Sequence, residues 1–152
     1  MLITRTPTSS DLDALAVLFD EYRQFYGQST NIEAARRFLS ERLEKEDSYL
    51  IGAFLDDVLV GFTQLFPSFS SVGMSPKLIL NDMYVLESVR KTGVAEALLD
   101  AANELALENG VLSMVLATRL ENNPARGLYE RFGWTEEQEF TYYNYKPKNR
   151  DT

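Results

Sequence analysis

No cysteine and no histidine occur among the 152 residues. The first absence removes a disulfide framework, a thiolate nucleophile and any cysteine zinc site, and the two together remove Ser-His-Asp and Cys-His catalysis. Metal chemistry is left only an all-oxygen carboxylate site, and no EF-hand spacing is present, so no metal is expected. Long apolar runs are missing too: nothing approaches the ~20 residues needed to span a bilayer, and the opening MLITR lacks the apolar stretch of a secretory signal. A cytoplasmic protein with no membrane partner is the expectation. Cations are scarce, 15 against 23 acidic residues for a net charge of −8, which argues against nucleic-acid binding through a basic face. The same charge favours small cationic partners by steering, and equally it serves solubility.

What is present is ordinary globular material. Hydrophobic residues make up 45% and charged residues 25%, and the length suits one core rather than two, so a single domain over 1–152 is expected. The 5 prolines and 8 glycines are spread along the chain and mark neither linker nor repeat.

Residues 2–5 read as a short strand stopped by Pro7. Ser10 and Asp13 have capping-box spacing ahead of a helix whose stripe is Leu12, Leu15, Ala16, Phe19, Tyr22 and Tyr26, ending near Gly27. The aromatic end of that helix fits core or substrate contact. Thr30 and Glu33 repeat the capping pattern for a second helix to about Lys45. Residues 48–55 and 58–66 read as strands joined by the turn Asp56-Asp57, and residues 66–76 as a long loop carrying Phe69 and Met74 towards an acceptor pocket.

Residues 78–85 form a β-rich run apolar on both parities, as in a strand covered on both faces. The helical spacing of 94–109 follows, stopped by Gly110, and then a strand of buried type over 111–118. Strand, helix and strand make a βαβ crossover whose turn, Arg90, Lys91, Thr92, Gly93, Val94 and Ala95, lies at the first strand's C-terminal end, where ligands collect in open α/β sheets. Uncapped helix N–H groups, the helix dipole, two cations and a glycine make that turn an anion seat; an ordinary loop with two solvated cations is the other reading. Pro124 and Gly133 bracket a short late helix capped at residue 122 or 123, and residues 140–145, FTYYNY, alternate like a last strand.

Two segments then agree. Arg90-x-x-Gly93-x-Ala95 resembles the pyrophosphate motif Q/R-x-x-G-x-G/A of the GNAT superfamily of acyl-CoA-dependent N-acetyltransferases, and residues 122–134 resemble its late helix, N-x-x-A-x-x-L-Y-x-x-x-G-F. The stretch Phe66-Pro67-Ser68-Phe69-Ser70-Ser71 and Leu80-Asn81-Asp82 also look like the diamine and thialysine acetyltransferase branch. The resemblance implies an α/β fold with a mixed, mostly antiparallel central sheet, a βαβ cofactor-binding core and flanking helices. It implies acetyl-CoA as co-substrate, held by main-chain groups of Met83, Tyr84 and Val85, by the 90–95 turn, and with help from Asn122. Tyr129 becomes the acid that protonates the departing thiolate, although by itself it also reads as a core aromatic. Lys91 stands where many members carry glycine, and Asn81 where some polyamine-acetylating relatives carry glutamate.

The activity implied is direct acetyl transfer to a primary amine, a small cationic amine, polyamine or lysine-like acceptor, in a ternary complex; with no cysteine, no thiol is at hand for a covalent acyl intermediate. Asp82, or a water near Asn81, can take the amine proton, and Asp82 can equally be a structural carboxylate. A small-molecule acceptor and a homodimer, with residues 140–145 as a candidate surface, complete the expectation. A non-catalytic acyl-CoA-binding module of the same fold is the alternative, and a nucleotide-binding enzyme ranks last because the Walker and full G-x-G-x-x-G patterns are absent.

Overall fold

The computed structural model describes residues 1–149. Met1–Arg119 form one compact unit and the segment from Leu120 onward a second. The first unit runs β1 (Leu2–Arg5), α1 (Leu12–Phe25), α2 (Ile32–Lys45), β2 (Tyr49–Leu55), β3 (Val58–Ser70), β4 (Ser75–Val85), α3 (Val94–Glu108) and β5 (Ser113–Leu116). The second contains α4 (Asn123–Phe132). The five strands lie in sequence order in one sheet, antiparallel except for the β4–β5 pair, which α3 joins in parallel.

The faces of the sheet are set by strand alternation. Phe62 packs with Leu15, Phe19 and Leu39 of α1 and α2, while its neighbour Gly61 lies under α3. A Cβ at Gly61 would stand 3.1 Å from the Tyr84 carbonyl, 3.2 Å from Val94 Cγ1 and 3.4 Å from Leu98 Cδ1. Only glycine lets the start of α3 settle this close to β3 and β4. The buried stripe of α3, Val94, Leu98, Leu99, Ala102 and Ala106, is the one its helical spacing indicates.

The caps of α1 and α2 form at different residues from those the spacing suggests. Ahead of α1 the box is Thr8 with Asp11: the Thr8 N–H donates to Asp11 Oδ2 at 2.8 Å, and Asp13 instead accepts from Arg36 at 2.7 Å. Asn31, not Thr30, caps α2 by accepting from the Ala34 N–H at 3.1 Å. Thr30 has a stronger claim elsewhere, donating to Asp20 at 2.6 Å. The Asp20 carboxylate, 2% exposed, also accepts from the Asn31 N–H at 2.7 Å and from Gln24 at 3.1 Å, and so pins α2 to α1.

Three expectations change. Residues 66–76 are not a loop: β3 continues to Ser70 and β4 begins at Ser75, with a turn only at their tip. Beyond Leu65 β3 has β4 as its sole partner, so Pro67 sits where a missing N–H costs little. Phe69 and Met74 are exposed on this hairpin. Second, β5 is a short strand at the end of the sheet whose residues alternate exposed and half-buried, rather than a buried one. Third, residues 140–145 form no strand; Phe140, Tyr142, Tyr143 and Tyr145 are 71–92% exposed. The Asp56-Asp57 turn behaves as read, with both residues at positive φ as a tight hairpin requires.

Candidate active site

The strand that leads into the 90–95 turn carries an irregularity. Gln64 pairs with Asp82 and Leu65 with Leu80, so Asn81 is an extra residue in β4, a β-bulge. Neighbouring side chains of a regular strand point to opposite faces. Here the bulge brings two of them together: Asn81 Nδ2 donates to Asp82 Oδ1 at 3.1 Å.

Asp82 is 5% exposed and richly supplied with donors. Gln64 Nε2 donates to its Oδ2 at 2.6 Å, Thr63 Oγ1 donates to its main-chain oxygen at 2.7 Å, and Tyr22 of α1 hydrogen-bonds the carboxylate while its hydroxyl also lies 3.3 Å from the Asn81 carbonyl. Burial nevertheless holds the carboxyl above the ordinary Asp value, with Gln64, Tyr22 and Asn81 pulling it back. A buried carboxylate with a raised pKa, next to an unpaired strand edge, is a proton acceptor better matched to neutral pH than a solvated one.

That edge is open because β4 outruns β5. Their pairing spans Lys77↔Ser113 to Leu80↔Leu116 and stops, so among the described residues main-chain groups of 81–85 have no strand partner on that side. Met83, Tyr84 and Val85 lie on this edge. One oxygen is occupied: Arg90 Nε donates to the Val85 carbonyl at 2.9 Å, and the guanidinium lies 5.3 Å over the Tyr84 ring. Arg90 is thus folded back along the strand.

The turn then delivers α3, and among the described residues no side chain caps its first N–H groups. Gly93 is the N-cap residue at φ +93, and the Thr92 hydroxyl is spent on the Val89 carbonyl. Lys91 has φ +64, a left-handed backbone that favours glycine. Val94 is buried, whereas Lys91 and Thr92 are exposed and Ala95 half-buried. Glu96 adds a carboxylate in the first turn.

Asn122 and Tyr129 belong to the second unit. Asn122 Oδ1 caps α4 by accepting from the Ala125 N–H at 3.3 Å, Pro124 sits in the first turn, and Gly133 ends the helix at φ +110. Tyr129 is half-buried, its ring 6.2 Å from that of Trp134, whose N–H donates to the Tyr129 carbonyl at 2.9 Å. Asp82, residues 83–85 and the 90–95 turn are therefore contiguous in the first unit, while in the other Asn122 caps the helix that carries Tyr129.

Sequence reasoning missed Ser48, Thr63 and Gln64, and gave Tyr22 no role at Asp82. A signal existed: Thr63-Gln64 is a polar pair inside the apolar strand VLVGFTQLF. Tyr22 also heads an aromatic floor, 5.2 Å from Tyr26 and 6.3 Å from Tyr84, with Arg119 stacked 4.7 Å over Tyr26. Among the described residues no cluster of three or more Asp, Glu, His or Cys could hold a metal ion, and no helix is long and apolar enough to cross a membrane.

Residues 15–134 match the model of the acetyltransferase (GNAT) family. The uncharacterized N-acetyltransferase YhfO of Bacillus subtilis (strain 168) is 41% identical over 139 residues, covering 91% of this chain and 93% of that protein. The crystal structure of a probable acetyltransferase superposes with a TM-score of 0.88 at 39% identity, over 99% of both chains. The aminoglycoside N-acetyltransferase AAC(6')-Iy, in its complex with CoA, shares the fold at a TM-score of 0.81 and 21% identity, over 97% of this chain and 96% of that one. The chain belongs to the GNAT family of acetyltransferases.

Proposed function

We propose that this chain transfers the acetyl group of acetyl-CoA to a primary amine by direct attack in a ternary complex, with 1–152 working as a single cytoplasmic N-acetyltransferase domain. The observation that carries this reading is the open β4 edge at 81–85, which runs into an uncapped helix N-terminus. An unpaired main-chain edge suits the amide groups of a pantetheine arm, and uncapped N–H groups flanked by Arg90 and Lys91 suit a pyrophosphate. The residues present therefore fit acetyl-CoA. The family match runs across the boundary between Arg119 and Leu120, which supports one working domain; residues 150–152 lie outside the described residues.

In this assignment Met83, Tyr84 and Val85 bind the arm through their main chain, and Arg90, Lys91, Thr92, Gly93, Val94 and Ala95 hold the pyrophosphate. Arg90 exchanges its bond to Val85 for phosphate. With Asn122 Oδ1 committed to the cap of α4, its Nδ2 is the group offered to the cofactor. Acetyl-CoA supplies the activated acyl group as a thioester. An alkyl ammonium has a pKa of about 10.4 and must shed a proton before it can attack. Asp82 takes that proton, and Asn81, which stands where some polyamine-acetylating relatives carry glutamate, donates to its Oδ1. Tyr129 donates its phenolic proton to the departing sulfur.

The acceptor is a small cationic amine, a polyamine or a lysine-like amine: the aminoglycoside acetyltransferases of this fold carry polycationic acceptors in their names, and a net charge of −8 attracts such molecules. The chain works as a homodimer, with the exposed aromatic residues 140–145 as its candidate surface. Acetyl-CoA incubated with polyamines, amino acids, aminoglycosides and lysine peptides, followed by mass analysis, tests the reading. One acetylated amine with stoichiometric CoA is expected. Acetyl-CoA binding without any turnover overturns it in favour of an acyl-CoA-binding module.

A further inference from the structure

The Asp82 carboxylate is approached from behind by a two-step chain of hydrogen bonds. Ser48, just ahead of β2, donates through Oγ to Gln64 Oε1 at 2.8 Å; Gln64 in turn donates through Nε2 to Asp82 Oδ2 at 2.6 Å. Gln64 is 0% exposed, and both ends of its amide are used. The amide has only one workable orientation. An ionised carboxylate can only accept, so it requires the NH₂ end, and the Ser48 hydroxyl meets the oxygen end as a donor. A buried polar side chain in the middle of an apolar strand is costly unless its partners are in place.

We propose that Gln64, oriented by Ser48, is a positioning residue that keeps the Asp82 carboxylate aimed and available as a proton acceptor for the amine. This rests on the assignment of Asp82 as the base. Fixing one carboxylate oxygen with Gln64 and the other with Asn81 leaves the carboxylate a single rotamer, so the lone pairs not engaged by these donors keep one direction. The charged groups nearby do not compete for this role. From α1, Tyr22 hydrogen-bonds Asp82 and Glu21 acts on Tyr84; from β4, Tyr84 has its hydroxyl pushed up by burial, with Arg90 above its ring. β3 presents Thr63 and Gln64, and residue 48 is a serine, none of them titratable. Among the described residues no cation and no second carboxylate acts on Asp82, so its donors are what oppose the effect of burial.

The sign follows. Burial raises the Asp82 pKa and the Gln64 donor lowers it. Removing that donor raises it further, so the protonated, inactive form persists to higher pH. The test is a carboxyl ¹³C titration of the full chain without ligand, Asp82 being assigned by its loss in Asp82→Asn. Alongside it runs the pH profile of kcat/KM for the best amine of the panel. Gln64→Met is expected to move the Asp82 titration and the acid limb of the profile up together by about one to two pH units, with KM for acetyl-CoA unchanged. Ser48→Ala, a milder change, moves both in the same direction by less, and Ser48→Thr restores them. An unmoved titration in folded Gln64→Met overturns the proposal; if that variant does not fold, an unmoved titration in Ser48→Ala does so. Loss of activity in Asp82→Asn with no shift in the Gln64 and Ser48 variants defeats the positioning role and leaves the base standing. Full activity of Asp82→Asn defeats the base itself.

Discussion

Gly61→Ala puts one methyl group at the point where the fold and the cofactor site meet. The added Cβ lies 3.1 Å from the Tyr84 carbonyl, 3.2 Å from Val94 Cγ1 and 3.4 Å from Leu98 Cδ1. The first neighbour is backbone held in the sheet, and the other two are buried side chains of α3, so a shift of a few tenths of an ångström falls on α3. Overpacking of this kind costs about 1–3 kcal/mol, and the lower entropy of an unfolded chain with alanine returns about 0.4–1 kcal/mol. The net is a loss of about 1 kcal/mol, or about 2–4 °C in Tm for a chain of this size. Val94 opens α3 and Tyr84 lies on the open β4 edge, so the displacement also misplaces the proposed phosphate seat. KM for acetyl-CoA is expected to rise severalfold while KM for the amine changes less, and Gly61→Val exaggerates both effects. Thermal unfolding and initial rates at varied acetyl-CoA check this. An unchanged Tm with an unchanged acetyl-CoA KM in Gly61→Val refutes the packing argument.

Other changes probe separate parts of the molecule. Asp20→Ala leaves the Asn31 N–H and the Thr30 hydroxyl without their buried acceptor, and urea unfolding should show a loss of about 2–4 kcal/mol through a lower midpoint. Asp11 is held down to about 2 by its hydrogen bond from Arg5 and then by the Thr8 N–H. A depressed carboxyl stabilises the fold above its unfolded value near 3.8 and loses that contribution as pH falls towards 2, so Asp11→Asn should flatten the stability profile in that window and nowhere else. Lys91→Gly relieves a left-handed backbone at φ +64 while removing one cation. Stability should hold or rise by up to about 1 kcal/mol, and acetyl-CoA affinity should fall by about twofold to fivefold, less at high salt.

The features legible in the sequence were those fixed by local chemistry. β1, the span of α1, the Asp56-Asp57 turn, the buried stripe of α3 and the α4 bracket of Pro124 and Gly133 each depend on residues within a turn or two of one another. The caps slipped because Thr30 and Asp13 found partners across the α1–α2 interface, a tertiary choice. Pro67 and Pro76 made residues 66–76 read as a loop; both prolines are tolerated because each lies where its strand has a single neighbour. Alternation in 140–145 suggested a strand, yet a strand needs a ladder partner, which no local pattern supplies. In the candidate site, the turn at 90–95 was readable. The bulge at Asn81 was not, because it exists only in the register of β4 against β3, and with it went the meeting of Ser48, Gln64, Asn81 and Asp82.

The most direct test of this account compares Asp82→Asn with the natural chain, measuring kcat under chemistry-limited conditions and acetyl-CoA affinity by titration on the same preparations. Affinity is expected to be unchanged, since the open strand edge and the α3 N-terminus are untouched, with kcat lower by about 10²–10⁴-fold. An unchanged kcat at unchanged affinity contradicts it.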